Sequence, residues 1–260
     1  MPIGPARMPL FDHIGELRRR LTIVVVSVLV ASFIMYFATP PIIDILQDPI
    51  REYVKEFYVT TALGGFTIRF SIAFKLAIVM CCPLIIWQVF AFFLPALKPN
   101  ERRWVVPTIL AATALFFLGA IFCYFVILNP AFGFLVGEAQ AIGTPWADLV
   151  DYINTEILLM IGFGIAFELP LIVFYLATFH IVPYSKFREA WRYIYVILLV
   201  VAGVVTPDAS PVTMAYMYAA MLALYELSLF VTRIVILKRD GKEGLKEGRL
   251  SLFDDEDDAE

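Results

Sequence analysis

The chain has 260 residues, 61 % of them hydrophobic and 17 % charged, with a formal net charge of −4. Soluble domains hold about 45–50 % apolar and about 25 % charged residues, so this apolar excess has nowhere to bury in one or two soluble domains. A cytoplasmic enzyme and a secreted disulfide scaffold are excluded, and the acidic balance speaks against a polyanion binder. Cys81, Cys82 and Cys123 all fall in apolar runs, where they act as small hydrophobes. The composition is that of an all-α polytopic membrane protein.

A spanning helix needs about 20 apolar residues, because about 30 Å of hydrocarbon is crossed at about 1.5 Å per residue. In chain order, Leu10, Ile14, Leu17 and Leu21 form an apolar stripe opposite Asp12, Glu16 and Arg19, and a first span follows at about 21–39. No small-residue cleavage site cuts it, so it reads as a retained helix. In the 40–70 loop, Ile42, Ile45, Leu46, Ile50, Tyr53, Val54 and Phe57 recur at helical spacing, which predicts a helix lying on the outer surface. Further spans are expected at about 71–96, 105–128 and 153–179. Two short ones follow at about 193–205 and 212–231, the latter interrupted by Glu226, with the turn TPDASP between them. The expectation is six transmembrane helices with the last two short, over residues 1–236, and a disordered cytoplasmic tail over 237–260.

Basic residues orient the helices. The N-terminus, the 97–104 and 180–192 loops and the tail hold sixteen of the twenty Lys and Arg, while the other face holds Arg51, Lys55, Arg69 and Lys75 in one long loop. By the positive-inside rule both termini are cytoplasmic.

Enzymatic signatures are missing: there is no HExxH, Walker loop or GxSxG, and His13 and His180 are far apart. The chain reads as a non-enzyme with no cofactor or metal. The informative residues are acids, since a charge at membrane depth costs about 2.5–3.5 kcal/mol. Glu168 lies mid-helix, two residues before Pro170, which cannot donate to the carbonyl of Ala166. It is either a kinked polar site for a substrate or proton, or a protonated acid satisfied by a neighbouring helix. Glu156 near the outer end of the same span reads as a snorkelling or capping residue, and Glu226 as a marker of the inner interface. On the cytoplasmic side Glu16 has Arg20 one helical turn on, and Asn100 with Glu101 suits a helix start.

Several motifs occur in order: FDHIGELRRRL (11–21), CCPLIIWQVFAFFLPAL (81–97), NERR (100–103), LGAIFCYFVILNPAFGFL (118–135), GFGIAFELP (162–170), TPD (206–208) and YELSLF (225–230). Together with the topology they make the chain resemble the TatC family, the multispanning subunit of the twin-arginine protein translocase. The resemblance implies a receptor for folded precursors bearing a twin-arginine signal peptide, in the bacterial cytoplasmic membrane, driven by the proton motive force. It implies that Glu16 and Glu101 receive the Arg-Arg pair, with Arg18 and Arg20 in the same site, more as orienting groups for their helix. It makes Glu168 the embedded acid and Asp208 the outer-loop acid. It makes Tyr225 and Glu226 part of a docking patch for single-span TatA- and TatB-type partners, and it implies self-association within the complex. The family's glutamine after the Pro-Asp pair and its following Ile-Pro are replaced here by ASPVTMAYMYAAM, in which Thr213 is the stand-in. A transporter using Glu168 as a proton or cation site is the alternative, although such folds usually have paired halves and this chain has none.

Overall fold

The computed structural model describes residues 10–54, 57–58, 63–93, 105–143, 148–178, 181–206 and 210–239. Apart from turns and an isolated bridge between Tyr58 and Asp148, the described residues are helical. Four stretches are long and apolar enough to cross a membrane: Ile14–Ile50, Val106–Ile142, Leu149–Thr178 and Pro211–Lys238. A fifth is a pair bent by 51°, Gly64–Met80 with Cys82–Phe92. The described chain falls into two compact units, one of residues 1–114 and 136–157, the other of residues 115–135 and 158–260.

In the first unit, α1 (Leu10–Gln47) is one helix of 38 residues, so the stripe before the first span and that span are continuous. It also runs through Pro40 and Pro41. The separate helix expected on the outer surface does not form. Residues 42–47 are the end of α1, and after the 3-10 turn Asp48–Ile50 the helix stops. At Pro49, which has no backbone N–H to donate, α1 has given way to the 3-10 turn, although Pro40 and Pro41 are carried within the helix.

The expected span at 71–96 is α2 (Gly64–Met80) and α3 (Cys82–Phe93). The break has a local cause. Pro83 removes the donor for the carbonyl of Val79, and the Cys81 N–H turns back to Ala77 at 2.8 Å. Because α2 begins at Gly64, Arg69 and Lys75 lie on a helix rather than in the loop expected for them. α1 packs against α2 and more lightly against α3, and Ile68, Ile72, Ala73 and Ala77 of α2 are buried.

The third span also exceeds its expected end at 128. α4 (Val105–Phe122) passes through a π turn, Cys123–Ile127, into α5 (Leu128–Ile142), so residues 129–142 are helix rather than loop. In that turn the Leu128 N–H reaches the Cys123 carbonyl five residues back. The wide turn lies just before Pro130, which offers no N–H of its own. The fourth span is α6 (Leu149–Ala166) and α7 (Leu169–Thr178), interrupted at Phe167–Glu168 as Pro170 requires.

In the second unit, α8 (Tyr184–Glu189) leads into α9 (Trp191–Val205), whose 15 residues cover about 22 Å, short of about 30 Å of hydrocarbon. The last helix is not short. α10 (Pro211–Arg239) has 29 residues, about 43 Å, and runs straight past Glu226 and past the expected tail boundary at 237. Residues 240–260 lie outside the described residues. α10 starts with Pro at its first position behind Ser210, whose Oγ accepts the Thr213 N–H at 3.1 Å. Thr213, Met217, Met221, Tyr225, Leu229, Thr232 and Ile236 make its buried stripe, and α7 and α9 pack on this helix.

Small residues set the closest approaches in this unit. A Cβ on Gly119 of α4 would stand 2.6 Å from the Phe163 carbonyl oxygen and 2.8 Å from the Phe167 ring, whereas one on Gly65 of α2 would meet nothing within 4 Å. Gly119→Ala is therefore expected to lower the stability of the detergent-solubilised protein by about 1–3 kcal/mol, and Gly65→Ala to leave it unchanged or slightly raised. Thermal unfolding of the two variants side by side checks this.

Candidate functional site

Three polar clusters interrupt the apolar surface, and each is assembled by helix geometry. On α1, Glu16 and Arg20 are one turn apart and so share a face. The Arg20 guanidinium donates to Glu16 Oε1 from Nε at 3.1 Å and from Nη2 at 2.5 Å. Its Nη1 donates to Gln88 Oε1 on α3 at 3.2 Å. Both charged side chains are about one-fifth exposed (23 % for Glu16, 22 % for Arg20), sheltered yet reachable. Arg18 and Arg19 are exposed. Gln88 was not singled out by sequence reasoning, although it is the one amide in the apolar run 82–94. Glu101 and Asp208 lie outside the described residues.

The second cluster joins α8, α9 and α10. Glu226 accepts from Arg188 Nη1 at 3.0 Å and from the Tyr195 hydroxyl at 2.8 Å. Tyr184 beside Arg188 holds its guanidinium above the ordinary range, and Glu226 adds to that against the opposing effect of burial. Next to Glu226, Tyr225 is buried and its hydroxyl donates to the Phe187 carbonyl at 3.0 Å. Glu226 thus marks no end of the helix; it ties α10 to the segment before α9, 38 residues away in sequence. A separation that long leaves no local signal. Thr213 is fully buried in the cap of α10, its hydroxyl 2.6 Å from that of Ser210.

The third set comprises acids with no visible counter-charge. Glu168 sits at the α6–α7 break, half-buried, and its Oε1 has no hydrogen-bond partner among the described residues. Beside it the Pro170 carbonyl accepts from Ser228 Oγ of α10 at 2.7 Å. Glu156 is neither snorkelling nor capping. It is 0 % exposed, and neither carboxylate oxygen has a partner among the described residues. Two residues before it, Asn154 Oδ1 accepts from Ser71 Oγ at 3.0 Å and from Lys75 Nζ, both on α2. Burying a carboxylate without a partner costs several kcal/mol, a cost that falls most heavily on the fully enclosed Glu156. Among the described residues no three His, Cys, Asp or Glu side chains gather as a metal site.

The break at Glu168-Leu-Pro170, the Glu16–Arg20 pair and the bent second span all fall inside one long match. Residues 12–219 match the family model described as Sec-independent protein translocase protein (TatC). This chain belongs to the TatC family. It is 35 % identical over 237 residues to the Sec-independent protein translocase protein TatC of Deinococcus radiodurans, covering 88 % of this chain and 87 % of that one. It is 32 % identical over 236 residues to the TatC of Aquifex aeolicus, covering 89 % and 98 %. A crystal structure of the twin-arginine translocase receptor TatC superposes with a TM-score of 0.74 at 30 % identity, over 85 % of this chain and 98 % of that one.

Glu226 holds the segment before α9 through the Arg188 ion pair and α9 itself through Tyr195, while Tyr225 adds a bond to the Phe187 carbonyl, so Glu226→Ala should loosen the segment. Trypsin should cut after Lys186 fastest in Glu226→Ala, more slowly in Glu226→Gln, which keeps a hydrogen bond to Tyr195, and slowest in the unaltered protein. The rates are read in detergent solution by mass spectrometry of the fragments.

Proposed function

We propose that the chain is the signal-peptide receptor and core subunit of a twin-arginine translocation system. It would lie in the bacterial cytoplasmic membrane with six spans, the last of them α10, both termini cytoplasmic, and the residues after Arg239 as a cytoplasmic tail. The observation that carries this reading is the chemistry at Glu16: in a family of twin-arginine receptors, the carboxylate of the cytoplasmic motif is already in the geometry that grips a guanidinium. A carboxylate binds guanidinium through charge-assisted bonds each contributing about 1.5–3 kcal/mol, and a lysine ammonium does not reproduce the planar fork. Glu16 and Glu101, from separate segments, would read the two adjacent arginines, with Arg18 and Arg20 ordering the α1 side of the site.

Glu168 serves transport rather than recognition, as a neutral acid at a helix break, and Asp208 belongs to the outer loop. Docking of TatA- and TatB-type single-span partners on α10 falls to Glu226, whose side chain is 36 % exposed. Tyr225 and Thr213, both buried, support that helix from behind. Self-association of the receptor completes the complex.

Charge reversal in Glu101→Lys is expected to abolish binding of a twin-arginine peptide to protein that still inserts and extracts normally; unchanged binding removes Glu101 from the site. Glu168→Gln should retain more export of a folded reporter than Glu168→Ala, with precursor co-purification alike in both, because Gln replaces the hydrogen bonds of a neutral acid. Equal loss of export would mean that an ionised or titrating carboxyl is required. The shortness of α9 gives a separate expectation. In a variant lacking the native cysteines, Val200→Cys should react with an impermeant thiol reagent faster than Leu115→Cys, since the bilayer thins beside a short span.

A further inference from the structure

The Glu16 carboxylate is already engaged. Arg20 occupies one of its two oxygens with two N–H groups, Nε at 3.1 Å and Nη2 at 2.5 Å, while Nη1 is held by Gln88 of α3 at 3.2 Å. This is the same chemistry that a signal arginine would offer, delivered by a residue tethered one helical turn away. Arg18 and Arg19, on the same stretch of α1, are exposed. Resting on the receptor reading above, we propose that Arg20 is an internal competitor for the guanidinium site of Glu16. A signal arginine binds there by exchange, and Arg20 keeps Gln88 as its partner when it is displaced.

The physical case is one of matched opposites. A helical Glu–Arg pair in partly exposed surroundings is weak, so it opens readily to a ligand that brings two arginines at once. It is also strong enough to hold the carboxylate in a fixed rotamer and to keep a lone stray cation from settling there. Gln88 makes the exchange less costly, because the displaced guanidinium retains a hydrogen bond on the α3 side instead of being left without one. A competitor that occupies the free site lowers the apparent affinity of every ligand by the same factor, so it sets a threshold for binding and leaves the preference between ligands untouched.

The test uses the full-length protein in detergent and two synthetic peptides, one with the adjacent arginines of a twin-arginine signal and one with lysines in their place. Arg20→Gln should tighten binding of both peptides by the same factor, about three- to fivefold. Arg20→Lys, which keeps the charge and loses the two-nitrogen grip, should give a smaller gain. Arg19→Gln, which removes the same charge from the same helix, should change either affinity by less than about twofold. The proposal is overturned if Arg20→Gln leaves binding unchanged or weakens it, if only the arginine peptide responds, or if Arg19→Gln tightens binding as much. Failure of the underlying reading shows separately: Glu16→Gln in the otherwise unaltered protein would then leave arginine-peptide binding as it was, whatever Arg20→Gln does.

Discussion

Backbone hydrogen bonding is the constraint that shapes every helix of this protein. In hydrocarbon no water is available, so each N–H and C=O must find its partner inside the protein. Proline denies a donor to the carbonyl four residues back, and the departures from straight helix occur where this happens. Pro49 stops α1, Pro83 bends the second span, Pro130 follows the π turn of the third, and Pro170 opens the fourth at Glu168. Next to the break at Pro170 a neighbouring helix adds a bond, the Ser228 hydroxyl of α10 donating to the Pro170 carbonyl. At the other kind of terminus, Pro211 begins α10 where an N–H would have had no helical partner, and the Ser210 side chain caps the turn.

Side-chain charge obeys the same rule with larger stakes. Glu16 and Glu226 each hold a guanidinium and a further neutral partner, Gln88 acting through Arg20 in the first case and Tyr195 in the second. Both acids are partly exposed, so their ion pairs form in partly hydrated surroundings at modest cost. Glu156 and Glu168 lie inside the apolar stretch Leu149–Thr178 with unpartnered oxygens. Burying a carboxylate there without a partner is costly, whereas the paired acids keep their counter-charges beside them.

Much of the architecture was legible in the residues because membrane helices are dictated by length and hydropathy. Five apolar stretches were found at the right places, and the break before Pro170 follows from a single residue. The errors share a cause. The ends of α1, α5 and α10 were placed where polarity rises, at 39, 128 and 231, yet the helices continue to Gln47, Ile142 and Arg239. Hydropathy marks where a helix leaves hydrocarbon, whereas the hydrogen-bond ladder continues beyond it, in α1 even through Pro40 and Pro41. Glu226 misled for a related reason. Its charge interrupts the apolar run, but Arg188 and Tyr195 compensate it, and α10 passes through without a break.

By itself the sequence determined that the protein is helical and membrane-embedded, that its spans carry proline breaks, and that Glu16, Glu101 and Glu168 stand in motifs of one family. These follow from local composition and from the missing N–H of proline, neither of which depends on distant residues. Only the tertiary structure decided what the acids touch. Arg20 reaching Gln88 across 68 positions, Glu226 meeting Arg188 across 38, and Glu156 fully enclosed without a hydrogen-bond partner among the described residues are outcomes of which helices lie side by side. Partnering at such separations is set by helix packing, and packing depends on shape complementarity of small residues such as Gly119, for which a one-dimensional pattern has no coordinate.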